Sequence, residues 1–165
     1  ARAAETCPLP DLSVDLVTVA QAVHWFDQAA FFQEVAQVSR AGGLLALIGY
    51  YLAQVSPDVD ALLAVLEQEV LAAYWDDERA QVRNRYVDVA VPFEELAAPS
   101  FTMAHTWRFE DLLAYLQTWS AAKAYARQMG VALPTDWVAQ AREAWGADEP
   151  RQVTWPVTLR VFRVR

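Results

Sequence analysis

The stretch "SVDLVTVAQAVHWFD", residues 13–27, decides the fold class of this chain. Its first half, Val14 to Ala20, is a largely apolar run with three valines and a threonine, typical of a strand buried on both faces. Its second half places Gln21, His24, Trp25 and Asp27 directly after that strand. The strand thus ends in polar and aromatic side chains, which form either a pocket or part of the packing.

A helix and a second strand follow. Asp27 is a plausible helix cap, and four apolar residues recur at helical spacing after it: Phe31, Phe32, Val35 and Val38. Gly42-Gly43 is predicted to end that helix, because glycine accepts the left-handed conformation common at helix ends. Leu44 to Tyr51 is a second apolar run. A helix between two buried strands predicts a parallel βαβ unit.

The remaining sequence alternates between helical and extended patterns. Residues 57–86 are predicted to be helical, with Ser56 as cap, Pro57 in the first turn and the charged run 76–85 on a solvated face. Residues 87–99 are predicted to be a loop and 101–107 a strand. Residues 109–146 indicate helices, bent or broken near Ser120, the last capped by Thr135 or Asp136. Residues 153–164 predict a terminal strand in which Pro156 marks a bulge or edge position.

Composition limits the classes of function. The chain has 165 residues, which predicts a single domain, 1–165, and an apolar share of 55% indicates a globular protein. A net charge of −8 argues against nucleic acid as a partner, because binding a phosphate backbone requires a basic face. No apolar run approaches about 20 residues, so no membrane span is expected.

Cysteine and histidine are scarce. One cysteine, Cys7, permits no internal disulfide and lacks the basic neighbours that activate a thiol, while two histidines make a metal site improbable. We therefore expect no metal, and a cytoplasmic location. His105 is interpreted as structural, as are most tryptophans: Trp75, Trp107, Trp137, Trp145 and Trp155.

The position of the polar cluster favours a pocket. In open α/β sheets, ligands bind outside the carboxyl ends of the parallel strands, and residues 21–27 lie at such an end. The competing interpretation is that Trp25 and Phe26 pack under the helix and that His24 is a satisfied surface histidine. From the residues alone, both remain open.

Two long segments carry a family resemblance. "AAETCPLPDLSVDLVTVAQAVHWFD" followed by "FFQEVAQVSRAGGLLALIGY" resembles the middle of a class I S-adenosylmethionine-dependent methyltransferase of the type 11, trans-aconitate methyltransferase-like group. "LQTWSAAKAYARQMG" and "VTWPVTLRVFRVR" are similar to the C-terminal region of that group. The resemblance implies the C-terminal part of a Rossmann-like methyltransferase fold: an α/β mixed sheet with helices on both faces. It implies helical cap segments at 57–86 and 109–146.

The resemblance also implies the site. S-adenosylmethionine would be the cofactor, with Ala4 and Glu5 at its adenine end and Gln21 and Ala22 near its methionine end. His24 would be the catalytic base or hydrogen-bond partner of a small-molecule acceptor. The substrate-binding residues implied are four: Trp25, Tyr50, Trp119 and Ser120, with Tyr51 a weaker candidate.

One departure from the family is large. The first three strands of the family fold and its glycine-rich cofactor loop lie upstream of the segments matched here, and no G-x-G-x-G occurs in the chain. Strand 14–20 pairs on both sides in that family, so here one edge would be bare, and a bare apolar edge promotes aggregation. We therefore expect either upstream chain or a second copy of the protein, as a homodimer, to lie against Val14–Ala20.

Three functions remain open after the resemblance. The chain is the acceptor side of a methyltransferase, a non-catalytic truncated module that binds a partner or dimerises through strand 14–20, or a cofactor-free binder of small molecules. A glycine-rich loop upstream of Ala1 would favour the enzyme.

Overall fold

The computed structural model describes residues 3–164, which form two compact units. Within the described residues, the first unit comprises 3–51, 78–101 and 156–164. The second comprises 52–77 and 102–155. The expectation of a single domain, 1–165, stays a prediction.

The first unit is built on the βαβ unit that the sequence predicts. Strand β1 (Val14–Ala20) pairs in parallel with β2 (Ser39–Tyr50), and helix α1 (Gln28–Val38) connects them. The helix begins as predicted, because the Asp27 carboxylate accepts a hydrogen bond from the backbone N of Ala30 at 3.1 Å. All four predicted apolar residues of the helix are buried: Phe31, Phe32, Val35 and Val38.

The sheet of this unit is mixed. The last strand of the chain, β5 (Arg151–Arg163), pairs antiparallel with β2 through residues 157–163. Its end also pairs antiparallel with a short strand, β3 (Glu94–Leu96), giving the order β1-β2-β5-β3. A core beneath the sheet gathers side chains from β1, α1, β2, β5 and the segment 82–89. Helix α3 (Arg79–Arg83) belongs to this unit.

Three predictions for this unit are wrong. Gly42-Gly43 does not end α1, which stops at Val38; both glycines lie inside β2, where its register with β1 shifts and Gly42 takes a φ of 78°. The segment 87–99 is not wholly a loop, because β3 finds a partner in distant β5. Strand β1 is not buried on both faces. Only Val19 is fully buried, because no strand of the described chain lies beyond β1.

The second unit is mainly helical. It contains α2 (Pro57–Val65), strand β4 (Phe101–Trp107), α4 (Phe109–Leu116), α5 (Ser120–Met129) and α6 (Thr135–Trp145). The predicted break near Ser120 is confirmed, since α4 ends at Leu116 and α5 begins at Ser120. In this unit Trp137, Trp145 and Trp155 are buried, whereas Trp75 and Trp107 are only half-buried.

The predicted helix 57–86 is wrong as one element. Helix α2 ends at Val65, a π-helical turn spans Leu66–Val70, and a 3-10 turn spans Ala72–Tyr74. Ser56 precedes α2 without a side-chain capping bond, and Pro57 occupies the first turn as predicted. Neither Thr135 nor Asp136 caps α6; Pro134 precedes it, so Thr135 already lies inside the first turn.

Candidate active site

The carboxyl end of β1 turns sharply at Gln21. Its φ of 52° is left-handed, a conformation that a non-glycine side chain adopts at a cost and that recurs at functional sites. The backbone N of Gln21 donates to the carbonyl of Ile48 at 2.9 Å, so pairing with β2 continues to the turn. Its side-chain Nε2 donates to the carbonyl of Tyr50 at 2.8 Å. Gln21 therefore joins the ends of two neighbouring strands.

His24 is a buried histidine in the 3-10 turn Val23–Trp25 that follows β1. Only 8% of it is exposed, although its neighbour Trp25 is 55% exposed. Its Nδ1 lies 3.3 Å from the hydroxyl of Tyr86, and that hydroxyl also donates to Oε1 of Gln21 at 3.3 Å. The hydroxyl of Tyr86 thus links Gln21 and His24, two of the residues that the sequence proposes for the site.

Tyr86 is a residue of the cluster that the sequence did not predict. It lies 62 residues from His24 in the chain, at the end of the predicted helix 57–86 and directly after the charged run 76–85 that was expected on a solvated face. Its ring is 1% exposed and its backbone has a φ of 58°. Nothing local in the sequence marks such a residue, because its partners come from other elements.

The environment favours the neutral forms of His24 and Tyr86. Burial, and then the guanidinium of Arg79, lower the pKa of His24, while Glu78 partly opposes them. Burial raises the pKa of Tyr86 to about 12, against a smaller opposite effect of Arg79. A neutral imidazole next to a protonated phenol can accept a proton near neutral pH.

A largely apolar cavity of about 480 Å³ lies between residues 3–9, strand β1 and helix α1. Two of the four predicted cofactor-binding residues, Ala4 and Ala22, line it together with Phe26. Glu5 and Gln21 are not among its lining residues. The Glu5 carboxylate instead accepts from the backbone N of Asp27 at 3.0 Å and so holds residues 3–9 against the start of α1.

Two of the predicted substrate-binding residues, Trp25 and Tyr50, belong to this unit. The Trp25 ring is tilted against the imidazole, with 4.7 Å between their centroids. Tyr50 contributes its carbonyl to Gln21, and the next residue, Tyr51, has its ring 5.7 Å from the guanidinium of Arg79. Arg79, a residue of the charged run 76–85, therefore contacts Tyr51 and acts through its charge on His24.

Trp119 and Ser120 belong to the second unit. Trp119 is 9% exposed and contacts the rings of Trp75 and Tyr115, with centroid distances of 5.5 and 6.0 Å. Ser120 is exposed at the start of α5. In the same unit the exposed ring of His105 stacks on that of Trp107 at 5.9 Å.

Two other features are absent from residues 3–164. Among these residues, no three side chains of the His, Cys, Asp or Glu type come together as ligands for a metal ion. None of the helices described is long and apolar enough to cross a membrane.

Comparison with known proteins gives consistent matches. A family model described as a methyltransferase domain matches residues 1–47. A Dictyostelium discoideum protein named as a methyltransferase is 31% identical over 128 residues, covering 76% of this chain and 49% of that protein. An uncharacterized methyltransferase of Mycobacterium tuberculosis is 58% identical over 45 residues, covering 27% of this chain and 18% of that protein. The chain therefore spans about half the length of the Dictyostelium relative.

A solved structure covers almost the whole chain. It is a protein of Anaeromyxobacter dehalogenans named as a type II methyltransferase, 39% identical, with a TM-score of 0.87. The match covers 98% of this chain and 69% of that one, and it confirms the Rossmann-like methyltransferase fold expected from the sequence. With this agreement of fold and sequence, the chain belongs to the class I S-adenosylmethionine-dependent methyltransferases.

Proposed function

We propose that this chain provides the acceptor side, and part of the cofactor side, of an enzyme that methylates a small molecule with S-adenosylmethionine. The observation that carries the proposal is the cluster at the carboxyl end of β1, where buried His24 is held by Tyr86. Ligands of open α/β sheets bind at this end. The position and the neutral state of His24 both suit proton transfer.

The cavity lined by Ala4 and Ala22 fits part of the cofactor. Its apolar walls and its volume of about 480 Å³ suit a flat ring such as adenine, since ligand pockets typically measure about 300–1,000 Å³. The polar groups of the cofactor need further partners, which the family places on a glycine-rich loop that this sequence lacks. When bound, S-adenosylmethionine supplies an electrophilic methyl group on a positively charged sulfur.

His24 acts on the acceptor in this proposal. For a hydroxyl acceptor, the imidazole accepts the proton that leaves the oxygen as the new bond forms. For a carboxylate acceptor no proton is lost, so no base is needed and His24 only orients the acceptor. Trp25, exposed beside His24, would shield the reacting groups from water. Its ring face would also offer a cation–π contact, worth about 0.5–2 kcal/mol, to the sulfonium of the cofactor.

Three further residues have proposed roles in binding the acceptor. Tyr50 contributes from the end of β2, where its carbonyl already holds Gln21. The resemblance implies the same role for Trp119 and Ser120 at the start of α5. Alanine substitution of each of the three residues, measured as release of S-adenosylhomocysteine, tests these roles.

The test is a screen of small hydroxyl and carboxylate acceptors, read as release of S-adenosylhomocysteine. We expect His24→Ala to lower the rate by about 10²–10⁴-fold with a hydroxyl acceptor, the usual contribution of a positioned base. His105→Ala is the matched control, because His105 is exposed in the other unit, and it should retain the wild-type rate. Full activity of His24→Ala, or no acceptor methylated by the wild type, would contradict the proposal.

One observation favours a second candidate, a module that binds a partner. Strand β1 is the last strand on its side of the described sheet, and Leu16 on it is 54% exposed. An exposed apolar edge strand is a template for pairing with another chain. If this is the function, light scattering should show a dimer or a partner complex that Leu16→Lys abolishes, with no binding of S-adenosylhomocysteine.

A further inference from the structure

A chain of hydrogen bonds in the first unit runs from Tyr50 to His24, and its direction is set at one end. Nε2 of Gln21 donates to the carbonyl oxygen of Tyr50 at 2.8 Å. A carbonyl oxygen can only accept, so the NH₂ group of the Gln21 amide must face it. The other amide atom, Oε1, therefore faces the hydroxyl of Tyr86 at 3.3 Å.

The hydroxyl of Tyr86 has one hydrogen and two neighbours. Oε1 of Gln21 carries no hydrogen, so the hydroxyl donates to it. The lone pairs of the hydroxyl oxygen remain, and Nδ1 of His24 lies 3.3 Å away. Nδ1 then bears the hydrogen and donates it. If the hydroxyl of Tyr86 instead donated its hydrogen to Nδ1 of His24, a lone pair of the phenol oxygen would face a lone pair of Oε1 of Gln21.

Contacts that do not involve His24 hold Tyr86 in place. Its ring packs on Gly49, where an added Cβ would come within 2.7 Å of Cε2. Its left-handed backbone, with a φ of 58°, presents the carbonyl to Arg160, whose Nη1 donates to it. Arg160 is held in turn by a two-pronged ion pair with Glu95, at 2.8 and 2.9 Å. The phenol is thus a fixed reference point for the imidazole.

The opposite side of the imidazole has no such partner. Nε2 of His24 makes no hydrogen bond to any residue in the range 3–164. Two charged groups act on the pKa of the ring, Arg79 and Glu78, at the start of α3, the helix that contacts the turn 23–25. Neither is a hydrogen-bond partner of the imidazole.

We propose that Gln21 and Tyr86 are positioning residues that set the tautomer of His24, with the hydrogen on Nδ1 and a free lone pair on Nε2. A neutral imidazole can act as a base only through its unprotonated nitrogen. The chain of hydrogen bonds occupies Nδ1 and leaves Nε2 as the nitrogen available to an acceptor. The purpose of this arrangement rests on the proposed function, whereas the tautomer itself is measurable without any acceptor.

The test is ¹⁵N NMR of the imidazole nitrogens at a pH above the pKa of His24. The protein has two histidines, so a His105→Asn variant assigns both signals. In the wild type we expect a protonated Nδ1 and an unprotonated Nε2 for His24. A wild-type spectrum with the hydrogen on Nε2 would overturn the proposal without any variant of the cluster.

Two variants then test the cause. Tyr86→Phe removes the hydroxyl and keeps the ring on Gly49, so the preference for the Nδ1 tautomer should be lost. Gln21→Asn should act likewise, because asparagine tolerates the left-handed backbone but is one methylene shorter. Tyr125→Phe is the matched control, since it removes the hydroxyl of a tyrosine that is 9% exposed in the other unit, and it should leave the tautomer unchanged.

An unchanged tautomer in folded Tyr86→Phe would overturn the role of Tyr86. Failure of the proposed function is a separate result. If the wild type shows the Nδ1 tautomer, and both variants lose it, the inference stands. It stands even if methyl transfer proves independent of His24, which would reject only the function.

Discussion

The imidazole of His24 lies among groups that favour its neutral form, and this has a consequence for stability. Burial and Arg79 hold its pKa below the value of 6.5 expected in the unfolded chain. Below that pH the unfolded state therefore binds more protons than the folded state, and stability is lost as the pH falls. In urea unfolding from pH 8 to pH 5, the wild type should lose more stability than His24→Asn. Equal losses of stability in the wild type and His24→Asn would contradict the assignment.

Tyr86 makes the stability of the folded state fall at high pH, whereas His24 makes it fall at low pH. Its pKa is raised to about 12 from 10.0, so the stability that it contributes is complete below pH 10 and is lost as the pH rises toward 12. In a titration followed by tyrosinate absorbance, one component should ionise late. Tyr86→Phe should remove that late component and leave the amplitude near pH 10 unchanged. A smaller amplitude near pH 10 in the variant would show that Tyr86 ionises like an exposed tyrosine.

Among the elements, helix α1 depends on the residue that precedes it, Asp27. The Asp27 carboxylate accepts from the backbone N of Ala30, and its own backbone N is held by Glu5. Asp27→Ala should cost about 0.5–2 kcal/mol of unfolding free energy, whereas Asp27→Asn should retain most of the stability, because asparagine caps equally well. Chemical denaturation measures both. Equal losses in the two variants would mean that capping does not stabilise α1.

Elements that follow from local patterns were predictable. The bounds of β1 and the buried face of α1 agree with the sequence, because a strand of branched residues and a 3.6-residue period are properties of short segments. Gly42-Gly43 was misassigned since glycine permits a left-handed φ in a strand irregularity as readily as at a helix end. Of the segment 57–86 expected as one helix, residues 57–77 belong to the second unit and 78–86 to the first, a division that no short-range pattern marks.

The candidate site shows the same division between local and distant causes. Gln21 and His24 were predictable because they directly follow a strand that the sequence identifies. Tyr86 was not, because its place depends on space left by Gly49 and on a carbonyl held by Arg160, residues that are distant in the sequence. Ala4 and Ala22 do line one cavity, whereas Glu5 is engaged by the backbone of Asp27.

For the molecule as a whole, the open edge of β1 predicts that lysine substitutions at two exposed apolar residues change the free energy of unfolding by different amounts. Leu16 on β1 is 54% exposed and Val87 is 65% exposed in the described chain. If further chain or a second copy covers β1, Leu16→Lys should lower the unfolding free energy of the natural protein by about 1.5–3 kcal/mol, the value of a buried leucine. Val87→Lys should have little effect. Equal, small effects would show that nothing covers this edge.

Titration calorimetry of the protein with S-adenosylhomocysteine tests whether a cofactor site lies at the carboxyl end of β1. We predict binding, and we predict that Ala22→Leu, which fills the cavity beside β1, weakens it by roughly 5–150-fold, the equivalent of about 1–3 kcal/mol of overpacking. Ala29→Leu, an exposed alanine of α1, should bind like the wild type. Absence of binding, or equal affinity in wild type and Ala22→Leu, would contradict a cofactor site at the carboxyl end of β1.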